Sequence, residues 1–459
     1  MKLRPFHVLF LGVLVAAVIS GCSDDDDEES ILDDLVSDIT LSEEVIDVVE
    51  SLGTVNIANK ALTFNVGIGS GAFHDEGDPS DEFYTITDRG PNIACSETQE
   101  ILEITNFCVN GGKVDEEGKI FPIPDFTPTI YKINIDTSGV LGTQVGYEVL
   151  ETIKLRDWDD DPITGLTNPL RVMTTENSYD KNGNLLDFDP EGLDPEAIVR
   201  LSNGAFWIAE EYAPSLVHVA KNGRIMERIV PSGVESDLAA ANYRVIGALP
   251  AILKRRQLNR GIESLAISPD EQFLYFMMQS PLANPDNETY KSSRNVRLFK
   301  LSLRDGDLDS VVGEYVYIID EPETFTADNT TEQSDVKVSE MVALDLDKLV
   351  ILERVSRHTK LYQVATLDNA TNILGTGSDN EAAIPSLEQL ASLASWGITT
   401  LDKKLVFDSR RDQSDLASKI EGMALLNNEY AVLINDNDFA VRGDKTYIRV
   451  TEIVEQLNQ

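Results

Sequence analysis

Four stretches of this chain follow one plan. Asp194-Pro-Glu196 through Glu210-Glu-Tyr212 reads as two short apolar strands around a Ser202-Asn203-Gly204 turn, opened by a carboxylate at Glu196 and closed by another at Glu210. The plan returns at Gly261-Ile-Glu263 with residues 273–279, at Ser339-Glu340 with residues 349–354, and at Lys419-Ile-Glu421 with residues 430–438. In each copy a Glu opens the first strand and a polar residue closes the second 13 to 16 positions later, so an antiparallel hairpin sets the two side by side at one end. A looser copy comes first, with a Gly69-Ser-Gly71 turn in place of the opening Glu and Asp88 in the closing position. Apolar hairpins recurring every 65 to 85 residues or so predict a radial array of sheets: an all-β propeller of five or six blades with short helical inserts. The opening Glu residues then meet near one end of the channel as a ring of carboxylates.

Between the hairpins, residues 129–135 and 147–155 read as outer strands of the first blade, and residues 216–220 and 225–230 as outer strands of the second. Residues 245–257 read as a helix, as does an Ala/Leu-rich insert near residues 386–395. Residues 157–190 form a long acidic loop; its Asp180-Lys-Asn-Gly-Asn184 places Gly too early for a calcium loop and reads as a turn. The last blade is short of strands, and residues 30–52, a short helix or a strand, offer one to close the ring.

The first 45 residues are of a different kind. Lys2 and Arg4 precede an apolar run over residues 8–19 that is too short to span a bilayer, and Ile19-Ser-Gly-Cys22 resembles a bacterial lipobox. The division expected is a lipoprotein signal peptide over residues 1–21, an acidic disordered tether over 22–45 opening with Ser23-Asp-Asp-Asp-Asp-Glu-Glu29, and the propeller over 46–459, with Cys22 lipidated. An uncleaved anchor helix is the other reading. This places the chain in the cell envelope, on the outer membrane or cell surface, touching membrane through its lipid alone. A net charge of −41 repels nucleic acid and excludes it as a partner; a monomer is expected. Cys95 and Cys108 lie close together in a loop of an exported chain, which favours a disulfide over two free thiols.

Taken in order, Gly69-Ser-Gly71 with Asp88-Arg-Gly-Pro-Asn92, Asp194-Pro-Glu196 with Glu210-Glu-Tyr212, Asn259-Arg-Gly-Ile-Glu263, Glu353-Arg354, and Lys419-Ile-Glu-Gly422 with Asn435-Asp-Asn-Asp-Phe439 resemble the phytase-like family known as "esterase-like activity of phytase". The likeness runs over roughly residues 60–450. It implies a β-propeller and a hydrolase of phosphate esters. Gln279 departs from the pattern where a carboxylate would fit.

The residue types point the same way. Glu196, Glu263, Glu340, Glu353, Glu421, Asp436 and Asp438 cannot all be ionised close together without a cation, and oxygen donors at flexible geometry suit Ca2+. Four scattered His and no paired His motif disfavour zinc. Arg89, Arg260, Arg354, Arg357 and Lys419 stand beside the acids and would clamp a phosphate. The candidate catalytic set is Asp88, Arg89, Glu196, Glu210, Arg260, Glu263, Lys419 and Glu421, with Glu196 or Glu421 as general base. The competing reading makes these pairs structural salt bridges. Gly67-Ile-Gly-Ser-Gly71 is not a nucleophile elbow, so Ser70 is a turn residue. The substrate expected is a small phosphate ester or another ester. A binding propeller with a structural metal and a lactonase or carboxylesterase are the alternatives.

Overall fold

The hydrophobic alternation of each hairpin builds one sheet, and five such sheets carry the structure. The computed structural model describes residues 45–136, 146–172, 175–426, 430–453 and 457. Cys22 and the segments expected to be signal peptide and tether, apart from Val45, lie outside them. From its innermost strand outward, the first sheet runs Gly71–Phe73, Glu82–Ile86, Thr129–Asp136 and Gly146–Lys154. The second runs Pro195–Arg200, Phe206–Glu210, Ser215–Val219 and Ile225–Pro231, and adds a parallel fifth strand, Arg244–Leu249. The third runs Ile262–Ile267, Phe273–Met278, Asn295–Arg304 and Asp307–Ile318. The fourth runs Lys337–Asp345, Lys348–Arg354, Thr359–Val364 and Lys404–Asp408. The innermost strand of each sheet lies beside that of the next, and that of the fifth lies beside that of the first.

The fifth sheet is made from both ends of the described chain. Ile420–Leu426, Tyr430–Asn435 and Thr446–Glu452 supply three strands, and Val45–Val48 pairs antiparallel with the last of them. An N-terminal strand therefore fills the gap. Two regions read as helical differ. Residues 245–257 begin as the parallel strand Arg244–Leu249, because Val245 and Ile246 pair with Arg228 and Ile229, and only the 3-10 turn Ala251–Arg255 remains helical. The 386–395 insert holds two short 3-10 turns, Leu387–Gln389 and Leu393–Trp396.

Gly69 and Gly71 let the first sheet close on its two neighbours, the last and the second, for a steric reason. A Cβ on Gly69 would collide with the Asn435 carbonyl of the fifth sheet, and one on Gly71 would lie 2.7 Å from the Cα of Ala197 in the second. Only bare backbone fits between these neighbours. Sheet faces pack on one another through fully buried side chains such as Trp207, Phe276, Leu298 and Ile351.

Cys95 and Cys108 form a disulfide, with Cα atoms 5.9 Å apart, inside a satellite cluster with Ile93, Ile120 and Tyr179. Closing so short a loop limits the unfolded chain. Replacing both cysteines by serine is expected to lower stability by about 3 kcal/mol. Urea unfolding of the variant and of the reduced parent measures it; equal midpoints for parent and variant would show that the crosslink contributes nothing.

Candidate functional site

Four hairpins carry the same irregularity, and it builds the site. The pairing slips between Pro195 and Ala197, between Ile262 and Ser264, between Val338 and Glu340, and between Ile420 and Gly422. The residue left over at each β-bulge is Glu196, Glu263, Ser339 and Glu421. A bulged residue leaves the ladder and re-aims its side chain, here at one end of the inner strands. The three Glu residues are thus structural equivalents, and the fourth sheet presents Ser339 instead. Glu340 takes the position held elsewhere by Ala197, Ser264 and Gly422.

The polar residues closing the second strands complete the ring. The amide of Gln279 donates to Glu211 Oε1 at 2.8 Å and to Glu263 Oε2 at 2.6 Å. Ser339 Oγ lies 3.4 Å from Glu263 Oε1 and Arg354 Nη2 lies 3.9 Å from it, while Arg354 also pairs with Glu421. Asp436 Oδ1 accepts from the Asp438 backbone at 2.9 Å, and Lys419 pairs with Asp438. Asp438, Phe439 and Ala440 are successive left-handed residues, with φ of 45°, 52° and 62°; Lys419 is another, at 57°. Such backbone costs free energy, and its concentration here marks a constrained loop.

Asp88, Asp194 and Glu196 offer ligand oxygens that all lie within 4.8 Å of one another. Burial, then the charge of Asp194, pushes Asp88 well above the usual carboxylate range. Burial, then Asp88 and Glu263, does the same to Glu196. Glu196 is 7 % exposed, and its carboxylate has no hydrogen bond or ion pair among the described residues. Three crowded carboxylates, one of them buried without a partner, form a donor set that fits a hard cation. Cationic side chains flank the same ring. Lys337 is the equivalent, two residues before the bulge, of Asp194 and Lys419. Arg260 beside it, then burial and Arg354, pull its amine down to about 7. Arg260 itself donates to Tyr290 Oη at 3.3 Å and to the Asn259 carbonyl at 2.6 Å, from a left-handed Asn259 with φ of 52°.

The other singled-out residues are tied up in contacts of their own, Arg89 among them through Asp194 of this same set. Arg89 is 2 % exposed and fully engaged: it donates to the Gly165 carbonyl at 3.0 Å, to Glu176 at 2.9 Å and to Asp194 at 3.3 Å, between the rings of Phe121 and Tyr212. Arg357 is on the surface, 3.8 Å from Asp328. Glu353 is buried between sheets, held by Tyr317 Oη at 2.6 Å, by the Asp320 backbone at 2.9 Å and by Lys403. Glu340 sits among the inner strands and accepts from the backbones of Ala72 at 3.2 Å and Met341 at 2.9 Å. Glu210 accepts from the Ala213 backbone at 2.9 Å and faces Arg228 at 3.5 Å. Sequence reasoning missed Asp194, Glu211 and Lys337 as site residues; aligning the copies on their bulges would have found Asp194 and Lys337.

Burial pushes Glu210 up to about 7 against the pull of Arg228, and pushes Glu314 up to about 7 against Arg297. A carboxyl raised in the folded chain holds its proton more tightly there than when unfolded. Its stabilising contribution is complete below the unfolded value, near 4.5, and is lost as pH rises through about 7. Urea midpoints are therefore expected to fall between about pH 5 and pH 7.5, and Glu210→Gln is expected to flatten that slope. An unchanged slope in the variant would remove Glu210 from the account.

Among known proteins, a protein of Arthroderma benhamiae described as an "Uncharacterized secreted protein" is 24 % identical over 292 residues, covering 56 % of this chain and 56 % of its own length. The chain thus spans about half the length of the curated relative it matches. Among solved structures, a luciferin-regenerating enzyme aligns over 89 % of this chain and 95 % of its own, at 10 % identity and a TM-score of 0.31. The hydrazine synthase of Kuenenia stuttgartiensis aligns over 80 % of each chain, at 12 % identity and the same score of 0.31. Similarity that low carries no argument about chemistry. No helix among the described residues is long and apolar enough to cross a membrane. Residues 111–439 match the Phytase-like family, described as esterase-like activity of phytase, and the chain belongs to that family.

Proposed function

We propose that this protein is a calcium-assisted phosphoester hydrolase built on a five-bladed propeller and anchored in the cell envelope through Cys22. The observation that carries the reading is the meeting of two charge sets at one end of the inner strands: the Asp88, Asp194 and Glu196 carboxylates, and the Arg260, Lys337 and Lys419 cations. Asp88, Asp194 and Glu196 would hold the cation, which when bound supplies Lewis-acid polarisation of a phosphoryl oxygen. Arg260, Lys337 and Lys419 would bind the remaining phosphate oxygens. Lys337, with its amine near 7, is matched to carry a proton to the leaving oxygen at neutral pH. Arg354 and Gln279 hold Glu421 and Glu263 in place. Family membership supports an ester as substrate, and the cationic flank favours a phosphate ester over an uncharged one.

The test is turnover of p-nitrophenyl phosphate, bis-p-nitrophenyl phosphate, phytate and p-nitrophenyl acetate, with calcium and then with EGTA. Calcium-dependent phosphate release supports the proposal. Release from the acetate alone would make the protein a carboxylesterase. No turnover, with a melting temperature that falls on chelation, would make it a binding propeller with a structural cation.

A further inference from the structure

The Asp307 turn of the third sheet brings together a second group of ligands, far in character from the carboxylate ring. Trp207, His218, Glu227 and Arg244 are direct cross-strand partners on four successive strands of the second sheet, so their side chains form one row. Trp207 stacks flat on His218, ring centroids 4.5 Å apart and 8° from parallel. Its indole Nε1 donates to the Gly306 carbonyl at 3.0 Å. That bond fixes the turn between the two outer strands of the third sheet and delivers Asp307 to the imidazole, with Oδ1 3.2 Å from Nδ1. His218 is 3 % exposed; its Nδ1 faces the Asp307 carboxylate, while its Nε2 has no hydrogen-bond partner among the described residues. A buried imidazole nitrogen without a partner is costly. Ligand atoms of His218, Glu227 and Asp307 all lie within 4.8 Å of one another. They open on a cavity of about 450 Å³ lined also by Met226, Ile246 and Leu308.

We propose that His218, Glu227 and Asp307 bind a first-row transition-metal ion of the Zn2+ class at the seam between the second and third sheets. One imidazole and two carboxylates make a three-ligand set with a position left for water. The imidazole selects against Ca2+, which takes oxygen ligands only. Arg244 Nη1 holds Glu227 Oε2 at 3.1 Å and orients that carboxylate. The ion would satisfy the imidazole and staple the 304–307 turn to the neighbouring sheet.

Trp207 reports the site directly. In a Trp158→Phe, Trp396→Phe background only Trp207 emits, since the chain has three Trp. The purified, chelator-stripped protein is titrated with Co2+, then Zn2+, and separately with Ca2+. One equivalent of Co2+ is expected to quench Trp207, Zn2+ to restore emission by displacement, and Ca2+ to do neither. Asp307 is 72 % exposed on its side chain, so Asp307→Ala leaves the fold intact; it is expected to weaken Co2+ binding by about 10-fold or more. Glu196→Gln, at the carboxylate ring, is expected to keep the quench. No saturable quench below millimolar Co2+, or a quench of equal affinity in Asp307→Ala, would overturn the proposal.

Discussion

Arg89→Ala is expected to lose about 3–5 kcal/mol of stability and to populate unfolded chain at moderate urea. The guanidinium is buried with Glu176 and Asp194 as charge partners, the Gly165 carbonyl and Thr167 as further acceptors, and aromatic rings at 5.0 and 5.1 Å. Truncation leaves two buried carboxylates without their cation, and that uncompensated charge dominates the loss. Arg89→Lys is expected to recover little, because a point ammonium cannot reach four acceptors in a planar fork. The sequence alone placed Arg89 on a substrate phosphate, and the two roles separate cleanly. A phosphate clamp predicts a folded variant with raised KM; a structural anchor predicts a lowered urea midpoint measured without substrate. A variant as stable as the parent would return Arg89 to the catalytic set.

Glu196→Gln is expected to act in the opposite direction on stability while removing function. The substitution keeps shape and deletes a charge from a buried carboxylate that has no partner among the described residues, crowded by Asp88 and Asp194. In EGTA the variant is expected to melt above the parent, since repulsion is relieved. In calcium the order reverses: the parent gains from a ligand that binds only the folded state, and the variant gains little. Turnover of the phosphate ester is expected to fall by about 100-fold or more, a loss of the kind that removing a metal-site group produces. Paired melting curves in EGTA and in calcium, with initial rates on the same samples, measure both effects. A calcium-induced shift equal to that of the parent would take Glu196 out of the cation site.

The two substitutions mark what can and cannot be read from residue order. The hairpins were legible because each carries alternation between turn residues, and the pairing of their ends follows from antiparallel geometry. The closing strand at Val45–Val48 was legible as a deficit, one sheet being short of a partner. The bulges were not. A single inserted residue leaves the composition of a strand unchanged but alters which side chain faces the channel. That offset is why Glu340, one place after Ser339, looked equivalent to Glu263 and instead accepts backbone bonds among the inner strands. Glu353 was misplaced for a related reason: it precedes Arg354 in the ring but points to the other face of its strand, toward Tyr317 and Lys403. The parallel strand Arg244–Leu249 was hidden because an apolar run flanked by basic residues reads equally as helix.

The sheet that joins Val45–Val48 to Thr446–Glu452 sets the order in which this molecule can be made. Of the described strands, Val45–Val48 is the first to be made and Thr446–Glu452 the last. Four sheets can form from contiguous chain while the fifth waits, so completion is governed by one contact of very long sequence separation and is slow. During that wait, Thr446–Glu452 is an open edge with unpaired amides and carbonyls, able to accept a strand from another molecule. A chain trimmed past Val48 would carry that edge permanently. Val45–Val48 thus covers the edge through which one copy could pair with another.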